Sequence, residues 1–298
     1  MKNYIDLHMH SKYSDDGEFT PSKLVEMCKE QGVKIMAIAD HNLLCANEEG
    51  KKRAEELGIK YIPAIEIDCS FKEVNLHVLG YGIPLDDPYL KELGNNIFQQ
   101  EIRLSSEKIK LTKELGFDIS KEELDQLSDN GVYTGEMIGE VLLGKEEYKN
   151  HPLLMPYRKG NKRADNPYVN FYWDYYSQGK PCYTKVLFPD YKEVVKRIHQ
   201  GGGKAVLAHP GANLEGQFEV FDDMMKEEPL DGVEAFSNYH DKKTMEYFYN
   251  KGKEYKIMTT CGSDFHGKTK PAIQLGDAKC PYDQEFIENM LTENGLLE

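Results

Sequence analysis

At 298 residues, with 40% hydrophobic and 30% charged residues, the chain can bury a sizeable core and has the make-up of an ordinary globular protein. A formal net charge of −14 argues against general nucleic-acid binding, which replaces counterions with a basic surface, though it leaves room for one phosphate at a local cluster of cations. No apolar run approaches the roughly 18 residues of a membrane span, and no basic stretch followed by an apolar one opens the chain, so no membrane partner and no signal peptide are expected and the expected location is cytoplasmic.

Tyr4 to Leu7 reads as a short buried strand. Strand side chains alternate faces, so His8 and His10 leave its end on the same side, and Asp15 follows five residues after His10. Thr20 and Pro21 open a helix that Gly32 closes. Ile35 to Ala39 is a continuous apolar run ending at Asp40-His41, of the kind buried on both faces of a parallel sheet. A helix over Glu48 to Leu57 ends at Gly58, a third strand over Tyr61 to Ile67 carries Glu66, and a fourth over Val74 to Tyr81 carries His77.

The rhythm then breaks. Between Pro84 and Tyr183 helical patterns dominate: Tyr89 to Leu115, a capping box at Ser120-x-x-Glu123, and Thr134 to Leu143. A basic knot, Arg158, Lys159, Lys162 and Arg163, precedes the aromatic stretch Tyr168 to Tyr176. Strand and helix alternate again from the capping box Asp190-x-x-Glu193. Ala205 to Ala208 ends at His209-Pro210, Gly232 to Phe236 ends near Ser237 to His240, and Ile257 to Cys261 ends at Gly262-Ser263-Asp264-Phe265-His266. A helix over roughly Asp283 to Glu293 closes the chain. Seven strands with intervening helices predict an α/β fold, a (β/α) barrel variant built from residues 1–83 and 190–298, with 84–189 as a mainly helical insertion serving as a cap or substrate subdomain. The six cysteines form no C-x-x-C pair and read as reduced, mostly buried thiols.

His8, His10, Asp15, His41, Glu66, His77, His209, Asp264 and His266 all stand at or just beyond strand ends, and six of the nine histidines are among them. Strand ends of such barrels share one rim, so these groups meet in one bowl. Imidazoles and carboxylates gathered there are costly without a cation to pair them.

The motifs Asp6-Leu7-His8-Met9-His10-Ser11 with Asp15, Ala39-Asp40-His41, Ile65-Glu66, His77, Ala208-His209-Pro210 and Gly262-Ser263-Asp264-Phe265-His266 together resemble the PHP (polymerase and histidinol phosphatase) family of metal-dependent phosphoesterases. The resemblance implies a distorted seven-stranded barrel and three divalent ions, Mn, Fe or Zn. It places one ion on His8, His10, Glu66 and Asp264, a second on Glu66, His77 and His209, and a third on Asp15, His41 and His266. It also implies phosphoester hydrolysis by a metal-bridging hydroxide, with no side-chain nucleophile. Asp6 and Asp40 read as supports for the ligands.

Within that reading the expected substrate is a small phosphomonoester. The alternatives are a nucleotide phosphodiesterase, a 5'-3' exonuclease, a 3',5'-bisphosphate nucleotidase, an amide or lactone hydrolase, and a non-catalytic metal-binding barrel. Relatives acting on nucleotides tend to carry an Arg and a His early in the insertion helix, and Thr134 to Glu140 has neither, which points away from nucleotides. His240, just past a strand end, is the candidate acid or phosphate contact. Arg158, Lys159, Lys162 and Arg163 are the candidate substrate cations. The oligomeric state stays open.

Overall fold

The computed structural model describes residues 3–214 and 216–297, so positions 1, 2, 215 and 298 of the expected barrel segments lie outside the described residues. The elements run β1 (Ile5–Asp6), α1 (Pro21–Gln31), β2 (Ile35–Met36), α2 (Ala46–Leu57), β3 (Lys60–Tyr61), β4 (Ala64–Phe71), β5 (Val74–Tyr81), α3 (Pro88–Glu114), α4 (Lys121–Leu124), α5 (Gly135–Gly144), α6 (Pro167–Tyr175), α7 (Tyr191–Gln200), β6 (Lys204–Leu207), α8 (Pro210–Asn213), α9 (Val220–Glu227), β7 (Gly232–Ser237), α10 (Lys242–Tyr255), β8 (Met258–Gly262) and α11 (Glu285–Glu293). Helix ends follow local chemistry. Thr20 accepts from the Lys23 amide at the start of α1, and Gly32 ends it in the left-handed region. The box at Ser120 and Glu123 is closed in both directions.

The strands form two sheets, β1-β2-β3 and β4-β5-β6-β7-β8, in place of the single seven-stranded ring expected. Two local causes account for the difference. Pro63 has no amide to continue a ladder, so the expected strand over Tyr61 to Ile67 divides into β3 and β4. Asn47 takes up the main-chain groups beyond the break: it accepts from the Ala64 amide at 2.9 Å and donates to the Ala64 carbonyl at 2.8 Å. The second cause is the Lys72–Glu73 turn, where both residues are left-handed (φ 48° and 68°). That is the geometry of a tight hairpin turn, and it makes β5 antiparallel to β4 and to β6. The remaining neighbours, β1-β2-β3 and β6-β7-β8, pair in parallel.

The two sheets meet at two places, beyond β1 and β8 and between the chain after β2 and strand β4. Met9 bridges Phe265, and His41 bridges Glu66. The Asp264 amide donates to the His8 carbonyl at 2.8 Å and the His10 amide to the Phe265 carbonyl at 2.9 Å. The helices cover the outer faces, with Val194, Ile198, Phe221 and Phe248 packed on the five-stranded sheet and Leu24, Val25 and Ala54 packed near Met36 and Ile38. Residues between α3 and α7 have an apolar cluster of their own, including Phe117, Ile138, Leu142, Phe171 and Tyr176. All six cysteines are free thiols, five of them buried. Among the described residues no helix is long and apolar enough to cross a membrane.

Candidate metal centre

Glu66, fully buried in β4, sits in the middle of the histidines. Its Oε1 lies 2.9 Å from His77 Nδ1 and 2.9 Å from His209 Nε2. Its Oε2 lies 3.1 Å from His8 Nε2, 3.1 Å from His10 Nε2 and 3.3 Å from His41 Nδ1. Asp264 Oδ1 is 3.1 Å from His10 Nε2 and 3.4 Å from His8 Nε2. Among the described residues three sets have donor atoms close enough to share one ion: His10, Asp16, His41 and His266; His8, Glu66, His209 and Asp264; His41, Glu66 and His77. Eight of the nine sequence candidates stand in these sets, though the partition differs from the one the resemblance implied: His10 groups with His41 and His266, and His8 with His209.

The donor set fits divalent cations. Among the described residues Glu66 Oε2, Asp264 Oδ1, Asp16 Oδ1, His41 Nδ1 and His266 Nε2 are buried without a hydrogen-bond partner, and orphaned buried groups of this kind are rare and costly unless something else pairs them. Electrostatics runs the same way. Burial opposes charge on Glu66, but His8, His77 and His41 around it hold its carboxyl well below the ordinary range. Burial and the neighbouring His266 and His41 lower His10 to about 4, so its imidazole is neutral.

Two buried carboxylates hold the loops that carry these groups. Asp40 accepts from the Ser11 amide and hydroxyl, both at 2.6 Å, and from the Ser14 hydroxyl at 3.1 Å. Ser14 Oγ in turn accepts the His41 amide at 3.0 Å. Asp6 accepts the Ser263 and Gly276 amides at 2.9 and 2.7 Å, tying β1 to the segment bearing Asp264 and His266.

The structure corrects the expected carboxylate of the first loop. Asp15 turns toward the insertion and accepts from Asn130 Nδ2 at 2.7 Å. Asp16 points inward, with Oδ2 3.1 Å from His266 Nε2. Burial would raise Asp16, but His266, His41 and His10 outweigh it and hold the carboxyl far below the usual range. His240 is also corrected. Its Nδ1 donates to the Ala235 carbonyl at 2.8 Å, and its Nε2 accepts the Gly211 amide at 2.9 Å. Burial lowers its pKa. Both ring nitrogens are committed to backbone, so it braces the chain after His209 and has no proton to offer a leaving group.

The basic knot is corrected in part. Arg158 donates to the Leu143 and Tyr148 carbonyls at 3.2 and 3.0 Å. Arg163 grips Asp174 through Nε at 3.1 Å and Nη2 at 2.8 Å. Lys159 and Lys162 are exposed. Arg158 closes a loop on itself, whereas Arg163, held by Asp174, also lines a cleft beside Tyr239. Of the aromatic stretch, Phe171 and Tyr176 are core residues with Tyr172 and Tyr175 packed beside them.

Several residues of the site carried no expectation. Glu234, buried in β7, accepts His8 Nδ1 at 3.1 Å and the His209 amide at 2.8 Å, which leaves His8 Nε2 aimed at Glu66. Asp68 meets His77 Nε2 at 3.1 Å and is held by Asn42 Nδ2 at 2.6 Å. Lys270 Nζ donates to Asp264 Oδ2 at 2.6 Å, and the Tyr239 hydroxyl donates to the same oxygen at 2.7 Å. Burial opposes the charge on Lys270, but Asp264 beside it raises its pKa. Glu136, at the start of α5, is pushed up to about 7 by burial and by nearby Asp16.

A cleft of about 510 Å³ opens beside Tyr239. Arg163, Asp165, Trp173, Asp174 and Lys180 from the insertion line it together with Asn238, Tyr239 and Lys279. The Tyr239 ring lies 5.3 Å from the His209 ring, so the cleft adjoins the metal centre.

The family model described as PHP domain matches residues 6–200. Among curated proteins, a 5'-3' exoribonuclease of Haemophilus influenzae is 26% identical over 89% of this chain and 91% of its own length. A phosphoribosyl 1,2-cyclic phosphate 1,2-diphosphodiesterase of Eggerthella lenta is 26% identical over 88% of this chain and 94% of its own. A 3',5'-nucleoside bisphosphate phosphatase of Chromobacterium violaceum is 23% identical over 91% and 90%. In fold, the chain superposes on a proposed metal-dependent phosphoesterase from Bifidobacterium adolescentis with a TM-score of 0.77 at 23% identity, covering 97% of this chain and 95% of that one. These relatives overturn the expectation, drawn from net charge, that nucleic acid lies outside the range of partners: proteins matching along most of this chain are named as exoribonucleases. The physical reason is that an enzyme gripping one strand end needs cations at its site only, whatever the rest of its surface carries.

Proposed function

This chain belongs to the PHP domain family and is a metal-dependent phosphoesterase, and on that premise we propose that it hydrolyses a phosphoester of a nucleotide or a short oligonucleotide end. The observation that carries this reading is the cleft beside Tyr239, whose lining combines an indole, Trp173, with three cations, Arg163, Lys180 and Lys279, against two carboxylates, Asp165 and Asp174. An aromatic face stacks on any base, and lysines answer the phosphates of a nucleotide. Its volume of about 510 Å³ falls within the range of small-molecule pockets, roughly 300–1,000 Å³. The names of the relatives, which span an exoribonuclease and a nucleoside bisphosphate phosphatase, support the same class.

We read His8, His10, Asp16, His41, Glu66, His77, His209, Asp264 and His266 as the residues that hold the ions. Bound there, divalent ions supply Lewis-acid polarisation of the phosphoryl group and activation of a water. The chain supplies the rest. Glu66 offers one oxygen to each half of the histidine set, Glu234 and Asp68 fix which nitrogen His8 and His77 present, and the insertion covers the centre as a cap. Phosphate release from 3',5'-bisphosphate nucleotides, 5'-phosphorylated oligonucleotides, cyclic nucleotides and sugar phosphates tests the class. Trp173→Ala is expected to raise KM roughly tenfold for nucleotides, the loss of one base stack of about 1–3 kcal/mol, and to leave KM for p-nitrophenyl phosphate unchanged. Equal KM effects on both, or turnover of sugar phosphates alone, contradict the reading.

A further inference from the structure

Asp264 is held from two directions. Its backbone is left-handed (φ 55°), its amide donates to the His8 carbonyl at 2.8 Å, and its carbonyl accepts from His266 Nδ1 at 2.9 Å. This is a strained position that surrounding contacts must enforce. Its side chain is divided. Oδ2 carries both the Lys270 ammonium at 2.6 Å and the Tyr239 hydroxyl at 2.7 Å. Among the described residues Oδ1 has no hydrogen-bond partner, and it faces His8 and His10. Lys270 and Tyr239 are 6% exposed and part-buried respectively, and the ammonium lies 5.3 Å from the centre of the Tyr239 ring. They reach Asp264 from different loops, one after β8 and one after β7.

A free carboxylate can grip a cation with both oxygens. Here the second oxygen would first have to surrender a buried charge-assisted hydrogen bond and a phenol, leaving a buried ammonium without its carboxylate, which is costly. We propose that Lys270 and Tyr239 are positioning residues that confine Asp264 to one-oxygen ligation, so that the ion it faces keeps a place for water or a phosphoryl oxygen. The inference rests on the metal-dependent reading above and goes beyond it in assigning these two residues a role.

The test compares the full-length protein with Lys270→Met, Lys270→Arg and Tyr239→Phe, each loaded with Mn2+ or Co2+. Tyr239→Phe removes one oxygen from a ring that otherwise stays in place, so it carries the test even where Lys270→Met fails to fold. The expected result is that Lys270→Met and Tyr239→Phe keep their metal at least as long as wild type under a chelator, while kcat falls tenfold or more with KM little changed. The visible absorption of their cobalt forms weakens, as it does when coordination number rises, and Lys270→Arg recovers most of kcat. If metal leaves Tyr239→Phe faster in step with its loss of activity, or if kcat is unchanged, the inference is overturned. If the wild type takes up no metal, the reading beneath it falls as well.

Discussion

His8 and His77 hold protons that a cation must displace. Burial works against their charge, but Glu66, Glu234 and Asp264 raise His8 well above the ordinary range, and Glu66 and Asp68 raise His77 to about 9. Loading at about pH 7.5 is therefore expected to release roughly two protons per chain, measurable by calorimetry in buffers of different ionisation enthalpy; uptake without proton release contradicts it. The sign for the metal-free protein follows from the raised pKa of His77 in the fold. Its contacts with Glu66 and Asp68 stabilise fully below the unfolded value of about 6.5. That contribution is lost as pH rises through about 9, over the interval in which metal affinity climbs. A second prediction separates the two neighbouring aspartates: Asp16→Asn weakens metal binding by at least the ~10–100-fold typical of losing a ligand's support, while Asp15→Asn changes it by less than about twofold, both read by metal titration. The histidines were readable because most of them follow a strand's apolar run, where a polar ring has few other reasons to stand, and His77 interrupts one. Asp16 was not, because spacing in a turn-rich loop does not say which of two carboxylates points inward. The available signal was Gly17, where a Cβ would collide with the Ser11 carbonyl, so the chain doubles back there. Glu234 gave a signal too, as a lone charge inside the apolar strand Gly232–Ser237, whereas nothing in the spacing of Lys270 marks it.

Helix α3 is 27 residues long and begins at a junction with α7. Asp87 caps it, accepting the Tyr89 and Leu90 amides at 2.9 and 3.1 Å, and the same carboxylate takes two hydrogen bonds from Arg197 at 2.8 and 3.0 Å. The Tyr89 ring lies 5.2 Å from the guanidinium. Losing a cap costs about 0.5–2 kcal/mol and a partly exposed ion pair up to about 1 kcal/mol, so Asp87→Ala is expected to lower stability by roughly 2 kcal/mol, and Asp87→Asn, which keeps a capping oxygen, by about half that. Urea midpoints at constant slope measure both; equal losses would show that the charge adds nothing. Burial raises the Asp87 carboxyl, but Arg197 and the two amides outweigh it and depress its pKa. The stabilisation is thus present above the unfolded value of about 3.9 and lost as pH falls below it, so the gap between wild type and Asp87→Asn closes in acid. Elements with strong end signals, such as α1 and α4, stand where the sequence places them. The hairpin of β4 and β5 was harder to foresee, since a turn through Lys72 and Glu73 in left-handed backbone uses neither Gly nor Asn.

Every group assigned to the metal centre lies at or near the seam between the two sheets. His8, His10 and Asp16 follow β1, His41 follows β2, Glu66 and His77 lie in β4 and β5, His209 follows β6, and Asp264 and His266 follow β8. Ions held there would tie the three-stranded sheet to the five-stranded one, joining segments more than 250 residues apart in sequence, such as His8 and Asp264. A ligand that binds only the folded state stabilises by about 2.7 kcal/mol at a free concentration of roughly 100 Kd, and for a chain of this size each kcal/mol moves Tm by about 2–4 °C. Removing metal with a chelator is therefore expected to lower Tm by roughly 5–10 °C, with recovery on adding Mn2+ and no recovery in Asp16→Asn/Asp264→Asn. Because the seam loses its cross-links while the helix-covered faces keep their apolar contacts, hydrogen exchange in the metal-free protein should rise first at residues 8–17, 40–42 and 262–267 and stay slow at Val194, Val206 and Val233. Uniform loss of protection across both sheets would mean that the ions stabilise the whole fold evenly, and the seam would then be a place of chemistry without being a joint of the structure.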